Sequence, residues 1–281
     1  MPQAWAPNSA RPAAWGEPPS ASLVRRWGEL GISPSAGQWG QPDCCMAIDP
    51  IRIAILDDHQ TSIDGYYYRL ETAPGLRVVG AARTGEELEA LLAREPADVL
   101  LLDVAVPTSP TNSNSYPVLF AVPHLQARYP ALSVLVISMH LDVALTKALL
   151  ESGASGYILK DDAATIRVLP DVVRTVAAGG VHLSARVAQL LQQQAGAPGE
   201  ALLTRRQHEV LSLCAAYPGE PGAQLAARLG VAPSTLRNLL SGAYARLGVR
   251  NLVEALQRAR ELRLITPLTS DPWPPPDQPA P

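Results

Sequence analysis

The sequence predicts an α/β fold, a five-stranded parallel, doubly wound sheet, followed by a small all-α domain of four helices in a helix-turn-helix layout. Three observations carry this expectation. Val99-Leu100-Leu101-Leu102 is an unbroken apolar run between Asp98 and Asp103, the pattern of a strand buried on both faces of a parallel sheet. From Ile51 to Ala178 short apolar runs alternate with helical segments, which is how parallel sheets covered by helices are written. From Leu203 onward the helical pattern alone remains.

The elements follow in order. Residues 1–49 are rich in Pro, Gly, Ala and Ser and carry Trp5, Trp15, Trp27 and Trp39, spaced too widely for a helical face. They are expected to be a disordered extension, with one short helix allowed at 22–30. The domain 50–180 begins with strand 51–56, which ends in Asp57-Asp58. Helix 61–72 stops before Pro74, and strand 76–81 follows. Thr84 caps the next helix, with Glu87 three residues on as a capping box. That helix runs to Arg94, and strand 98–103 comes next. The stretch 107–117 is crowded with Pro, Ser, Thr and Asn and reads as a loop. A helix interrupted at Pro123 is expected over 118–129, then strand 132–138, helix 142–152 and strand 155–159. A helix over 163–178 contains Pro170, which fits poorly in a helix interior. Residues 181–202 read as a linker that can begin with a helix, 203–265 as the helical domain, and 266–281 as a disordered, proline-rich tail. Gly230 and Gly248 are stop signals for two of its helices.

Composition narrows the function classes. The 281 residues suffice for two domains, and a net charge of −3 excludes the whole molecule as a polyanion binder. No apolar run is long enough to span a membrane, and no basic-then-apolar leader opens the chain. Cys44, Cys45 and Cys214 form no disulfide framework, so a reducing, cytoplasmic setting is expected.

The predicted strand ends carry the chemistry. Asp57 and Asp58 end the first strand, Asp103 the third and Ser138 the fourth, and Lys160 follows the fifth. In a parallel sheet these ends share one edge, where open α/β sheets bind ligands. Three carboxylates there repel one another unless a cation joins them, and a hard dication such as Mg²⁺ is the natural solution. Lys160 and Ser138 then suit a phosphoryl group, one as a charge and one as a hydrogen-bond donor.

The strings ILDDH at 55–59, LLLDVAVP at 100–107, VLVISMH at 134–140 and SGASGYILKDD at 152–162 resemble the receiver domain of two-component response regulators, of flavodoxin/CheY-like topology. The resemblance implies that Asp103 accepts a phosphoryl group from a sensor histidine kinase. It further implies that Asp57, Asp58, Asp103 and the carbonyl of Ala105 hold Mg²⁺, and that Ser138 and Lys160 hold the phosphoryl oxygens. Tyr157 matches the switch aromatic that turns inward when Ser138 moves. His59 and His140 border the site as bystanders. One departure stands out: the segment after Pro107 is several residues longer than the family pattern.

The second half has its own charge. Residues 201–265 contain nine Arg, no Lys and four Glu, a balance of +5 against −3 for the whole chain. That segregation marks a phosphate-binding surface. The strings LTRRQHEVLSL at 203–213, LAARLGVAPSTLRNLLSGAYARLGV at 225–249 and NLVEALQRA at 251–259 resemble the output domain of LuxR/NarL/FixJ regulators. Its third helix, opening at Ser234, would enter the major groove. Arg237, Asn238 and Ser241 share a face and are candidates for base edges or groove. Thr235, Arg246 and Arg250 suit phosphate. Arg205-Arg206-Gln207 replaces the usual Pro-Arg-Glu, Gly222-Ala223-Gln224 the usual Asn-Lys-Glu, and Leu239 a common His.

The expected protein is a phosphorylation-controlled transcription regulator, not an enzyme, that binds double-stranded DNA and forms a homodimer when phosphorylated. The rival reading keeps the receiver but makes the altered output domain a protein-interaction module. No dedicated general base or substrate pocket supports a phosphotransferase.

Overall fold

The computed structural model describes residues 49–139, 141–194 and 202–266. Strand β3 (Val99–Leu102) is fully buried and lies between β1 (Ile51–Leu56) and β6 (Ser133–Ser138), both parallel to it. The sheet order is β2-β1-β3-β6-β7-β8, with β2 at Leu76–Ala82, β7 at Gly156–Leu159 and β8 at His182–Leu183. The chain steps from β1 outward to β2 and then back across to β3. The β1/β3 junction is therefore the topological switch point, where the crevice of such a sheet opens. Arg52 grips Asp98 with both ends of its guanidinium, at 2.7 and 3.0 Å, and pins the opposite end of the same two strands.

Side chains alternate along each strand and so build two cores. Ala54, Leu56, Leu100, Leu102, Val134 and Val136 face α2 (Gly85–Arg94), α3 (Val118–Arg128) and α4 (Val143–Glu151). Ile53, Ile55, Val99, Leu101, Leu135 and Ile137 face α1 (Gln60–Glu71) and α6 (Leu169–Ala177). Burial on both faces is the reason β3 is apolar throughout, as are 53–56 of β1 and 134–137 of β6.

Several expectations are corrected. The sheet has six strands rather than five. The extra one, β8, and helix α7 (Ala185–Gln194) lie in the stretch expected to be linker, and Val187 of α7 is buried in the first core. The segment after Pro107 is not a plain loop but a hairpin, β4 (Pro107–Ser109) and β5 (Asn112–Ser115), closed by the Thr108 hydroxyl on the Asn114 carbonyl at 2.8 Å. The expected helix over 163–178 is two helices, α5 (Ala163–Arg167) and α6, with Pro170 in the first turn of α6. There its missing N–H costs nothing, whereas mid-helix it breaks the ladder. Pro123, by contrast, is accommodated inside α3, which runs unbroken. Thr84 caps α2 as expected, but Glu87 closes the box on the N–H of Arg83, one residue before the cap, at 2.7 Å.

The helical domain consists of α8 (Arg205–Ala216), α9 (Gly222–Arg228), α10 (Pro233–Leu247) and α11 (Leu252–Glu261). Thr204 and Gln207 form a reciprocal capping box on α8. Gly248 ends α10 in the left-handed region at φ +69°, a conformation that costs other residues about 1–2 kcal/mol. Helix α8 is the axis of the domain. One side packs with Ala243, Leu247, Ala255 and Ala259, the other with Leu225, Ala226, Leu229 and Leu236. Ala144 of α4 and Phe120 of α3 join these clusters, so the sheet domain completes the core of its neighbour. No helix of the described residues is long and apolar enough to cross a membrane. The residues expected to be disordered extension and tail, apart from the few at their inner ends, and the second half of the expected linker lie outside the described residues.

Candidate functional site

The C-terminal sheet edge gathers the predicted charges. Asp57 and Asp103 leave β1 and β3 side by side and are almost fully buried, while Asp58 is partly open. Lys160 follows β7 and bridges Asp57 Oδ2 and Asp103 Oδ2, each at 2.6 Å. Burial disfavours the charge on Lys160, yet the two carboxylates outweigh it and raise its pKa above the ordinary lysine value. The three acids and His59 present ligand atoms within 4.8 Å of one another. Asp57 Oδ2 and Asp58 Oδ1 are buried and accept no well-formed hydrogen bond, although Lys160 and His59 Nδ1 (2.7 Å) stand close by. The three carboxylates gathered on this edge supply the oxygen ligands that a hard dication takes, with His59 beside them. The Ala105 N–H reaches Asp103 Oδ1 at 3.3 Å and holds the start of the following loop against that carboxylate.

Ser138 is fully buried at the end of β6, and its main-chain carbonyl accepts from Lys160 N at 2.8 Å. Tyr157 is also fully buried. Burial pushes its phenol pKa up to about 12, with the Ser138 hydroxyl hydrogen-bonded to it acting in the opposite sense. The aromatic expected to turn inward is already inside, with Ser138 as its partner. His140 lies outside the described residues. Sequence reasoning missed Arg83, whose guanidinium donates to the Asp58 carbonyl at 3.0 and 3.3 Å. Its place next to Thr84, at the end of β2, was the available signal. Of the three tyrosines on α1, Tyr66 is buried, Tyr67 half-buried and Tyr68 75% exposed, so only Tyr68 is free for an outside contact.

The helical domain offers the second candidate surface. Ser234, Thr235, Arg237, Asn238, Ser241, Arg246 and Arg250 are all exposed on or just beyond α10. Leu236 and Leu247 are core, and Leu239 and Leu240 are half-buried against it, which separates the contacting face from the packing face. Gly242 faces α8, where a Cβ would come within 2.7 Å of the Gln207 amide. Gln207, in place of the usual Glu, completes the capping box on α8 with Thr204. Arg205, which stands in place of the usual Pro, and Arg206, which matches the pattern, both reach the buried carboxylate of Glu209, at 3.1 and 2.7 Å, from exposed positions.

An acid-lined switch point on a doubly wound sheet, joined to a helix-turn-helix with an exposed third helix, defines a signal-receiving regulator. Comparison with known proteins agrees. Residues 53–169 match the family described as response regulator receiver domain, and residues 201–259 match bacterial regulatory proteins of the luxR family. A probable transcriptional regulatory protein NarL of Mycobacterium tuberculosis is 30% identical over 219 residues, covering 77% of this chain and 97% of its own. The transcriptional regulatory protein DegU of Brevibacillus brevis is 29% identical over 226 residues, covering 73% and 91%. The solved structure of RcsB from Salmonella enterica serovar Typhimurium, bound to the promoter rprA in the presence of phosphomimetic BeF₃⁻, superposes with a TM-score of 0.53 at 26% identity. It covers 74% of this chain and 98% of its own. The chain belongs to the LuxR/NarL-type response regulators.

Proposed function

We propose that this protein is a cytoplasmic, phosphorylation-controlled transcription factor whose phosphoacceptor is Asp103. The observation that carries the proposal is the Lys160 bridge between Asp57 and Asp103 at the switch point, a cation held where a charged group must be neutralised. A carboxylate oxygen of Asp103 attacks the phosphorus of a kinase phosphohistidine; the phosphorus–nitrogen bond breaks and an acyl phosphate forms. Asp57, Asp58, Asp103 and the Ala105 carbonyl would hold Mg²⁺, which neutralises phosphoryl charge and orients the in-line transfer. Lys160 exchanges a carboxylate oxygen for a phosphoryl oxygen. Ser138 donates to another, and in doing so leaves Tyr157, which makes that pair the internal readout. The receiver is assigned to residues 50–180, extended by the packed β8 and α7, and the output domain to 203–265.

The output domain docks on operator DNA through α10. Arg237, Asn238 and Ser241 reach the groove, while Ser234, Thr235, Arg246 and Arg250 contact phosphate. A two-fold dimer places two such helices on paired half-sites and raises avidity. The luxR-family match and the exposed reading face favour DNA over a protein-interaction role for this domain. The protein itself is a stoichiometric phosphoacceptor, not a turnover enzyme.

The test is intact mass and gel-filtration size after treatment with acetyl phosphate and Mg²⁺, with Asp103→Asn as control. The expected result is one added phosphoryl group, absent in the variant, together with a shift to dimer. An adduct that persists in Asp103→Asn refutes the assignment of this residue.

A further inference from the structure

We propose that the hairpin β4–β5 is a strut that couples the Asp103 edge directly to α8 of the DNA-binding domain. This rests on the reading of Asp103 as phosphoacceptor. The hairpin is an addition to the family pattern, and it starts immediately after the residues that surround that carboxylate. Its root is rigid. Val104 and Val106 are fully buried, and the Tyr116 N–H bonds the Val106 carbonyl at 2.8 Å. Tyr116 is itself buried and lies so close to α2 that a Cβ on Gly85 would stand 2.0 Å from its ring.

The tip reaches the other domain. Asn112 Nδ2 donates to the Ala216 carbonyl at 2.9 Å, across 104 residues of sequence. Ala216 is the last residue of α8, and its carbonyl is one of those that a helix leaves without an internal partner. Asn112 is therefore a C-terminal cap supplied by a different domain. Its amide orientation is fixed independently, because Oδ1 accepts from both the backbone and the side-chain nitrogen of Asn114, at 3.1 and 2.7 Å. The strut thus has one end at the phosphorylation edge and the other on the axis helix of the output domain.

The geometry is that of a tether and not of a mask. The reading face of α10 stays exposed while α8 is held. A change in charge at Asp103 shifts the loop that carries Ala105 and Pro107, and a stiff hairpin passes that shift to Ala216. The cleft of about 310 Å³ between the hairpin, α2 and Arg228 leaves room for the tip to move without unpacking either core. The consequence is release of the output domain to pair on DNA.

The test is hydrogen exchange, read by mass spectrometry on the full chain, over the α8 terminus at residues 213–219. Intact mass is taken from the same samples, with and without acetyl phosphate and Mg²⁺. Two variants are compared with the wild type. Asn112→Ala removes the donor. Asn112→Asp keeps the acceptor that orders Asn114 but sets a carboxylate against the Ala216 carbonyl, so it separates loss of the cap from collapse of the hairpin. In the unphosphorylated state both variants are expected to exchange about fivefold faster than wild type there, the size of one lost hydrogen bond. Phosphorylated wild type is expected to match them. Unchanged exchange in both variants overturns the strut. So does a phosphoryl adduct on the wild type that leaves this segment as protected as before. Absence of any adduct counts against the Asp103 reading, and the variants then decide the contact between the domains on their own.

Discussion

His208 and Glu209 are neighbours on α8 and solve burial in opposite ways. Glu209 is buried with Arg205 and Arg206 both reaching its carboxylate. His208 has no such partner; its Nε2 is buried without a hydrogen bond, and burial lowers its pKa from 6.5 to about 4. Between those values the unfolded chain takes up a proton that the folded chain refuses. Stability is therefore full above the unfolded pKa and falls as pH drops toward the folded one. About 2 kcal/mol should be lost between about pH 7.5 and about pH 5 through this residue alone, on the ordinary linkage relation. Urea unfolding at the two pH values checks this, and in His208→Gln that part of the pH dependence should vanish. Cys214 is the second residue-scale case. Burial raises its thiol pKa to about 11, so native protein should resist alkylation at Cys214, as read from peptide masses, and label there only after denaturation. Neither state was legible in the sequence. The apolar spacing around His208 and Cys214 marks a core helix, but how completely three other helices and the receiver enclose it does not appear in α8 itself.

At the scale of elements, what was legible followed local rules. Thr84, Asp142, Thr204 and Asn251 each cap the helix that follows, with the side chain accepting from a first-turn N–H. The burial of β1, β3 and β6 was readable because strands covered on both faces have no polar alternative. What escaped notice were elements held by partners far along the chain. β8 is two residues long and exists because β7 offers it an edge. The hairpin is a low-hydrophobicity sequence, ordered by side chain-to-backbone bonds and by Tyr116 under α2. Gly85→Ala tests that seam. Its new methyl group would overlap the Tyr116 ring, and overpacking of this kind typically costs about 1–3 kcal/mol. A fall in urea midpoint of that size, reduced when Tyr116→Leu is added, is the expected outcome. Asp142 has a double role, since it caps α4 and faces Arg263 of the helical domain at 3.8 Å. Asp142→Asn, which keeps the capping oxygen and drops the charge, should loosen the two domains without melting α4; hydrogen exchange at the α8 terminus, residues 213–219, reads the first and circular dichroism the second.

For the whole molecule, charge segregation makes a quantitative statement. On the proposed DNA-binding role, a part that carries +5 within a chain of net −3 makes the affinity for DNA depend steeply on salt. Each phosphate contact contributes about 0.9 to the slope of log affinity against log salt. Arg246→Ala and Arg250→Ala should each reduce that slope by about one and weaken all sequences alike, in a retention assay over a salt series. Arg237→Ala should instead lower discrimination between operator and random DNA, with little change in slope.

By itself the sequence determined the doubly wound sheet, the acidic edge with its lysine, and the helix-turn-helix, because each is set by local periodicity, caps or short strings. Only the tertiary structure decided the sixth strand, the inward position of Tyr157, the turning of Arg205 and Arg206 onto Glu209, and the hairpin's hold on α8. Those depend on which surfaces meet after folding. A hydrogen bond between Asn112 and Ala216 is worth as much as one within a turn, but no rule of local spacing connects residues so far apart in the chain.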